Sequence, residues 1–297
     1  MQRSMTGLFP GVALAVLASG AAPADCVRSA TAWEASYNSP DNRDDSVNAV
    51  AADPAGGFAA AGYETRLDLG EAENWVVRRY TGDGNAVWSR TYNFGGASSD
   101  IAYAVAVDPA GNVIAGGTAK YLWDTSGFLR VAKYSPSGDL LWSRTHNTPG
   151  VNQENSLTAL AVDRSDSSIV AAGWVDRPDL GRSHDWILLK YSAAGDRLWA
   201  TVYHGGGQDQ AWCVAVDPAG NIIAGGFIGA APGGVIRKYD SAGGLVWSQS
   251  VGTAAGPCSR VDGITTDQTG NIYAVGQQST TGGDWFVQKL DPTGAVA

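Results

Sequence analysis

Short apolar stretches alternate with turns rich in glycine, proline and aspartate along the chain after residue 31. The stretches "AYAVAVD" (102–108) and "VIAGGT" (113–118) flank an Asp-Pro-Ala-Gly-Asn sequence, in which Pro presets its own φ while Gly and Asn tolerate positive φ. "SPSGD" separates "FLRVAKY" (128–134) from "LLWSRTH" (140–146) in the same way. No segment keeps a helical period of 3.6 residues. The pattern predicts an all-β protein built from pairs of β-hairpins.

The pairs of hairpins repeat along the chain. Five copies, each of four short strands, fill the region after the first 24 residues, and four antiparallel strands per repeat is the layout of a β-propeller blade. We therefore predict a single five-bladed β-propeller over residues 25–297. The aspartates that begin the first turn of each copy are Asp53, Asp108, Asp163, Asp217 and Asp267.

A second pattern places a glycine four residues before a tryptophan in the second hairpin of each repeat. We predict a structural role for these residues, because an indole can fill the space between blades and glycine allows close approach at the turn. The docking residues are Gly84 and Trp88, Gly138 and Trp142, Gly195 and Trp199, Gly243 and Trp247, and Gly294.

The last copy lacks its tryptophan, which the pattern would put directly after Ala297. The segment "TAWEASYN" (31–38) aligns with "AVWSRTYN" (86–93) and so resembles a fourth strand. We expect this N-terminal strand to complete the last blade and close the ring, which removes two unpaired strand edges. Trp33 is then expected to pack on Gly294.

Residues 1–24 have the features of a secretory signal peptide. Arg3 precedes an uncharged apolar run that ends in Ala22-Pro23-Ala24, a small-residue cleavage pattern. The run is shorter than the roughly 20 residues needed to cross a bilayer. We expect cleavage after Ala24 and a secreted or periplasmic protein without a membrane span.

Composition narrows the set of partners. Hydrophobic residues make up 44% of the chain and charged residues 16%, and the net charge of −9 argues against nucleic acid and anionic lipid as partners. Three cysteines allow at most one disulfide. Pairing of Cys213 with Cys258 stays open, Cys26 is expected to be unpaired, and no spacing predicts a metal site.

One residue at the entry to each first strand offers side-chain oxygen. Fivefold symmetry would bring these residues around the mouth of the central channel, where they would hold a cation, water or sugar hydroxyls. Each could instead accept hydrogen bonds from its own loop backbone, and this structural role is favoured because every blade needs it once. The residues are Asp45, Asp100, Asn155, Asp209 and Ser259.

The loops on the same face differ from one another. Tyr121 and Trp123 lie in one loop, and Trp174 lies in another beside Arg177 and Arg182. Aromatic side chains near carboxylates suit a carbohydrate or peptide site, but they are also typical of ordinary loop packing, and packing is the favoured interpretation.

The repeat "VAVDPAGNVIAGGT…DWILLKYSAAGDRLWATVYHGG" resembles the bacterial β-propeller repeat known as the SBBP repeat over nearly all of residues 31–297. The resemblance implies an extracytoplasmic propeller. The Gly-to-Trp spacing is also similar to the tryptophan-docking motif of quinoprotein-type propellers, and this likeness supports the packing role without importing a quinone.

Three functions follow as hypotheses. The first is a secreted, monomeric binding module for a glycan, peptide or protein, without catalysis and without a cofactor other than a cation at the channel mouth. The second is a five-bladed glycoside hydrolase or lyase that uses channel-mouth carboxylates, for which the candidates are Asp45, Asp100, Glu154 and Asp209. The third is a periplasmic scaffold for protein assembly that binds partner strands along a blade edge or loop face.

Overall fold

The computed structural model describes residues 33–95, 98–120, 127–148, 154–229, 233–251, 260–278 and 284–296. These residues form an all-β structure of nineteen strands, with two single-turn 3-10 helices at Leu67–Leu69 and Pro178–Leu180. Within the described ranges, no helix is long and apolar enough to cross a membrane.

The strands form five antiparallel sheets in chain order, here called sheets 1 to 5. Four sheets have four strands and sheet 5 has three, and in each sheet the strands pair in the order in which they occur. Sheet 1 contains β1 (Ser46–Ala52), β2 (Phe58–Thr65), β3 (Glu73–Tyr80) and β4 (Ala86–Tyr92); sheet 2 contains β5 (Asp100–Val107), β6 (Val113–Lys120), β7 (Gly127–Tyr134) and β8 (Leu140–His146); sheet 3 contains β9 (Ser156–Val162), β10 (Ile169–Arg177), β11 (Arg182–Tyr191) and β12 (Arg197–Tyr203); sheet 4 contains β13 (Gln210–Val216), β14 (Ile222–Phe227), β15 (Gly234–Tyr239) and β16 (Leu245–Ser250); sheet 5 contains β17 (Arg260–Thr266), β18 (Ile272–Gln278) and β19 (Asp284–Leu290).

The first turn of each sheet is held by its aspartate. The carboxylate of Asp108 accepts hydrogen bonds from the backbone N–H groups of Ala110 and Asn112, both at 2.9 Å. Asp217 makes the same two bonds to Ala219 and Asn221. An aspartate that bonds to the backbone two residues onward is a local turn signal, so this part of the fold is encoded in the turn sequence itself.

Consecutive sheets pack face to face, and their first strands surround a central cavity. Four apolar clusters fill the interfaces from sheet 1 to sheet 5. The cavity is lined by residues from β1, β5, β9, β13 and β17. First strands around a common axis with fourth strands outside is the arrangement of a β-propeller.

Each docking tryptophan packs on the sheet that follows it. The ring of Trp142 lies over Gly195, which has φ +88°, and its indole N–H donates to the carbonyl of Ala193 at 3.0 Å. Trp88 makes the equivalent contact with Gly138 and the carbonyl of Pro136. The same arrangement joins Trp199 to Gly243 and Trp247 to Gly294.

A basic side chain of the third strand donates to the same backbone carbonyl group as the docking tryptophan. The ammonium group of Lys133 lies 2.9 Å from the carboxylate of Asp108 in its own sheet and donates to the carbonyl of Ala193 at 3.2 Å. Lys238 bridges Asp217 and the carbonyl of Pro292 in the same way. The cation neutralises the buried turn carboxylate while it ties one sheet to the next.

The expected contact of Trp33 with Gly294 is wrong. Trp33 lies over Gly84 of sheet 1 and donates to the carbonyl of Gly82 at 3.0 Å, whereas Gly294 is covered by Trp247. The physical reason is that every docking tryptophan reaches the following repeat, so the glycine of its own sheet is left for the tryptophan before it. Among the described residues, no N-terminal strand pairs with β19.

Cys213 carries a free thiol in the interface between sheets 4 and 5. Its sulfur lies 3.5 Å from the carbonyl oxygen of Gly225 and 3.8 Å from that of Val261. Burial raises the pKa of this thiol, which makes it a poor nucleophile. Cys26 and Cys258 lie outside the described residues.

We expect Gly195→Ala to lower the free energy of unfolding more than Gly56→Ala does. Both glycines have positive φ, which costs an L-residue roughly 1–2 kcal/mol. A Cβ at Gly195 would also meet the Trp142 ring at 2.6 Å, whereas nothing lies within 4 Å at Gly56. Overpacking should add about 1–3 kcal/mol, measurable by urea denaturation. Equal losses in the two variants would contradict the docking role.

Candidate functional site

The oxygen-bearing residues at the strand entries hold loop backbone. Asp100 is buried and accepts hydrogen bonds from the N–H of Phe94 at 2.6 Å and from the hydroxyl of Ser98 at 3.2 Å. The carboxylate of Asp209 accepts from the N–H groups of Gly205 and of Gly229, the latter at 3.0 Å.

The other two described members of this set make corresponding bonds. Asp45 accepts from the N–H of Ser39 at 2.6 Å and from that of Thr65 at 3.3 Å. The amide oxygen of Asn155 accepts from the N–H of Asp176 at 2.8 Å. These contacts are those of the structural role, and none of the four side chains is among those that line the central cavity. Ser259 lies outside the described residues.

A β-bulge occurs in the first strand of every sheet, at the same position. In β13, Ala211 pairs with Gly226 and Cys213 pairs with Gly225, so Trp212 has no partner residue on β14. A bulge releases one residue from the ladder and re-aims its side chain. The five residues released in this way, here called the bulge residues, are Asn48, Tyr103, Thr158, Trp212 and Asp262.

The bulges bring a variable position of the repeat to the centre of the molecule. Tyr103, Thr158, Trp212 and Asp262 line one cavity of about 170 Å³, together with the small or apolar residues that follow them. The fifth bulge residue, Asn48, precedes the lining residue Ala49 and donates to the carbonyl of Ala102 at 2.9 Å. This central cavity is the candidate functional site.

Trp212 is the centre of an aromatic group at this site. Its ring centroid lies 5.6 Å from that of Trp174 at the end of β10, and Trp174 lies 5.6 Å from the ring of His184. The guanidinium carbon of Arg260 lies 5.2 Å from the centroid of Trp212. The Nε of Arg260 also lies 2.5 Å from a carboxylate oxygen of Asp262. Burial raises the pKa of Asp262, while Arg260 acts in the opposite direction.

His184 lies between the aromatic group and two acidic side chains, those of Asp176 and Glu154. It has a left-handed backbone, with φ +42°, and its N–H donates to Asp176 at 2.8 Å. Its Nδ1 lies 2.7 Å from the side-chain nitrogen of Gln210, and its Nε2 lies 3.7 Å from a carboxylate oxygen of the exposed Glu154. A non-glycine residue held at positive φ is uncommon and is often found at functional sites.

A second group of titratable side chains lies beside the loops of sheets 3 and 4. Asp185, His204 and Asp209 offer one ligand atom each within 4.8 Å of one another, and His204 Nδ1 lies 2.7 Å from Asp185. The spacing would suit a metal ion, but both oxygens of Asp209 already accept backbone N–H groups. The arrangement is explained by loop bonding.

The loop residues predicted for ligand binding are only partly within the structure. Trp174 contacts Trp212 and His184, as described above. Arg177 pairs with Asp179 within its own turn. Tyr121 and Trp123 lie outside the described residues, and so do the side chains of residues 182 and 183.

The sequence prediction missed the bulge residues and Arg260. A signal for the bulge residues exists, because position 212 and its equivalents hold five different residue types, and the residue that follows each of them is small: Ala, Ala, Ala, Cys or Gly. Arg260 stands alone at the start of β17, and its only signal is its place two residues before Asp262.

The comparisons with known proteins concern the fold. No family model matches the chain, and no curated protein matches its sequence. Among solved structures, it is similar to a protein of unknown function from Bacteroides caccae, with a TM-score of 0.54 and 14% identity over 85% of this chain and 80% of that one. Weaker likenesses are to Sqt1 from Chaetomium thermophilum (TM-score 0.45, 13% identity, 85% and 70% of the chains) and to a gluconolactonase from Xanthomonas campestris (TM-score 0.43, 13% identity, 77% and 69%).

We expect Asp100→Ala to destabilise the protein and Asp100→Asn to be tolerated. Alanine removes the buried acceptor that binds the N–H of Phe94 and the hydroxyl of Ser98, at a cost of about 1–3 kcal/mol. The amide should retain an acceptor, since the chain itself has Asn155 at the equivalent position. Burial raises the pKa of Asp100 in the folded protein. The free energy of unfolding therefore falls as pH rises from the unfolded-state pKa through this raised pKa, and a neutral amide avoids this loss. Chemical denaturation at pH 7 compares the two variants, and an equal loss would contradict the loop-bonding role.

Proposed function

We propose that this protein is an exported β-propeller that binds a ligand in its central cavity. The observation that carries the proposal is the bulge in every first strand, which turns one side chain per sheet out of the ladder. Four of these side chains line one cavity, and they differ in chemistry: a phenol, a hydroxyl, an indole and a carboxylate. A repeated scaffold that presents non-repeated side chains at one place is suited to recognition.

The size of the cavity limits what it can hold. At about 170 Å³ it is smaller than the roughly 300–1,000 Å³ of pockets that enclose a drug-sized ligand. We therefore expect it to take a single residue of a larger ligand, and the surrounding loops to contact the rest.

The geometry favours binding over hydrolysis. A glycoside hydrolase needs two carboxylates with differently tuned pKa values near the scissile bond. Asp45, Asp100 and Asp209 instead accept hydrogen bonds from loop backbone, and Asp262 is paired with Arg260. Export follows from the predicted signal peptide over residues 1–24 and from the resemblance to SBBP repeats, and both belong to the proposal.

We also propose that the segment from Trp33 to Tyr37 is the fourth strand of sheet 5 and closes the ring of five sheets. Its contacts with sheet 1 match those that a fourth strand makes with the sheet after it. Arg78 lies over the ring of Tyr37 at 3.8 Å, as Arg237 lies over Tyr203 at 3.6 Å. The segment thus already lies against sheet 1, on one side of the gap between sheets 5 and 1, here called the seam.

Exposed apolar side chains on both sides of the seam support closure. Trp285 of β19 is 79% exposed, whereas Trp75 and Trp186 at the equivalent positions are 0% exposed. On the other side, Val47 of β1 is 70% exposed, whereas its equivalent Ala102 is 0% exposed. Closure would bury these groups and complete the wall of the cavity between Asn48 and Asp262.

We expect Trp212→Ala to weaken ligand binding at least about tenfold, because a buried aromatic anchor commonly contributes 2 kcal/mol or more. Glycan and peptide arrays identify the ligand, and calorimetry measures the affinity. Val202→Ala, on the exposed face of β12, is the control and should bind normally. Turnover of the bound compound would favour the hydrolase, and a protein partner that still binds Trp212→Ala would favour the assembly scaffold.

The closure has a register that crosslinking can test. In sheet 1, Val77 pairs with Arg90, so Val287 should lie opposite Ala35. We expect the variant Ala35→Cys/Val287→Cys to form an intramolecular disulfide when Cys26 and Cys258 are replaced by Ser, since opposed residues of an antiparallel pair have the Cα separation that a disulfide needs.

The control for this crosslink is Glu34→Cys/Val287→Cys, in which the register is shifted by one residue and the two side chains point to opposite faces. Peptide mapping of the monomeric fraction of each variant shows whether the intramolecular disulfide has formed. A disulfide that forms only between chains, or in the control alone, would contradict closure by the protein's own strand.

A further inference from the structure

Arg260 is a cation with unused donors at the edge of the cavity. Among the described residues, Asp262 is its only hydrogen-bond partner, and that bond uses Nε. The two terminal nitrogens of the guanidinium therefore have no acceptor from the protein in this part of the chain. The side chain is 28% exposed, so these nitrogens are within reach of a ligand.

The guanidinium is held in one orientation by two contacts. Asp262 binds its Nε edge at 2.5 Å, and the ring of Trp212 lies against its face at 5.2 Å. A planar guanidinium presents a fork of N–H donors that matches the two oxygens of a carboxylate. Because the group is already oriented, binding an anion would cost little additional side-chain entropy.

The indoles beside Arg260 also lack acceptors. The Nε1–H groups of Trp212 and Trp174 are buried and have no hydrogen-bond partner within the described segments. Trp75 and Trp186 share this property, but they lie in the closed interfaces between sheets, whereas Trp212 lines the cavity. An oxygen-rich ligand in the cavity would supply acceptors for these indole groups.

The order of the bulge residues favours a sugar ring as the ligand. Thr158 is the small member between Tyr103 and Trp212 in the succession of sheets, and all three line the cavity. The hydroxyl of Thr158 donates to the carbonyl of Ala211 at 2.7 Å, which holds this side chain in place. Two aromatic groups on either side of a small residue leave room for a pyranose ring, whose apolar face packs on aromatic carbon.

We propose that the ligand residue bound in the cavity is an acidic sugar, whose ring lies between Tyr103 and Trp212 and whose carboxylate is bound by the terminal nitrogens of Arg260. This inference rests on the proposed binding function and adds the class of ligand. Recognition is short-range, because the net charge of −9 and the nearby Glu154 oppose long-range attraction of an anion.

The test compares uronic acid oligosaccharides with the same oligosaccharides after methyl esterification of the carboxyl groups. The two probes differ in charge and keep the same ring. We expect the acid to bind the native protein about 10–100-fold more tightly than the ester, the range for a hydrogen bond to a charged group. Calorimetry measures both affinities.

Two variants make the result specific to Arg260. Arg260→Gln should bind acid and ester with equal affinity, while Arg177→Gln, which removes an exposed arginine paired with Asp179, should keep the preference for the acid. Asp262→Asn should bind the acid at least as tightly as the native protein, because the repulsion between two carboxylates is removed. If Asp262 instead accepted hydroxyl groups of a neutral sugar, Asp262→Asn would weaken binding.

The outcomes separate this inference from the proposed function. Equal affinity of the native protein for acid and ester, or tighter binding of the ester, overturns the acidic ligand and leaves the binding function standing. Tight binding of a sugar phosphate or sulfate, and not of the uronate, keeps Arg260 as an oxyanion site and overturns the carboxylate. Binding of no saccharide, with peptides bound instead, overturns the inference, and binding of neither class overturns the proposed function as well.

Discussion

The contact of an indole with a left-handed glycine in the next sheet is the constraint on which this structure depends. It fixes the distance between neighbouring sheets, because the ring can approach the turn only where no Cβ is present. It also fixes the direction of assembly, since each sheet supplies a tryptophan to the sheet after it. The basic side chain of the third strand reinforces the contact by binding the same carbonyl group. A buried turn carboxylate, which alone would be costly, is thereby paired and becomes part of the join.

The two faces of the molecule divide the work between stability and recognition. On one face, near-identical turns repeat the same aspartate, glycine and tryptophan contacts. At the other face, the side-chain oxygens at the strand entries bind loop backbone, and the bulges turn four unlike side chains toward the central cavity. The candidate site therefore consists of residues that stand outside the hydrogen-bond ladder, which is why its chemistry can be irregular within a regular scaffold.

Much of the fold could be predicted from the sequence because its signals are local. Turn residues, strand lengths and the docking pattern each lie within one repeat, and five copies repeat them. The partner of Trp33 was misassigned because a repeat pattern does not say whether two recurring residues meet within one copy or between neighbours; the chain makes the second choice, with Trp33 on Gly84. The bulge residues were missed for a related reason. A bulge is a property of pairing between two strands, so the alternation of polar and apolar residues along one strand gives little indication of it. Arg260 could not be recognised either, since its role comes from Trp212 in another sheet.

The bulges have a consequence for how such a protein can change over generations. A residue that stands outside the hydrogen-bond ladder can be exchanged without shifting the register of its strand, so selection at Tyr103 or Trp212 is largely separated from selection for folding. The five bulge positions, one in each sheet, can therefore be substituted separately. A lineage of these chains can acquire a new ligand through a few substitutions at the bulges while its turns and docking tryptophans stay the same.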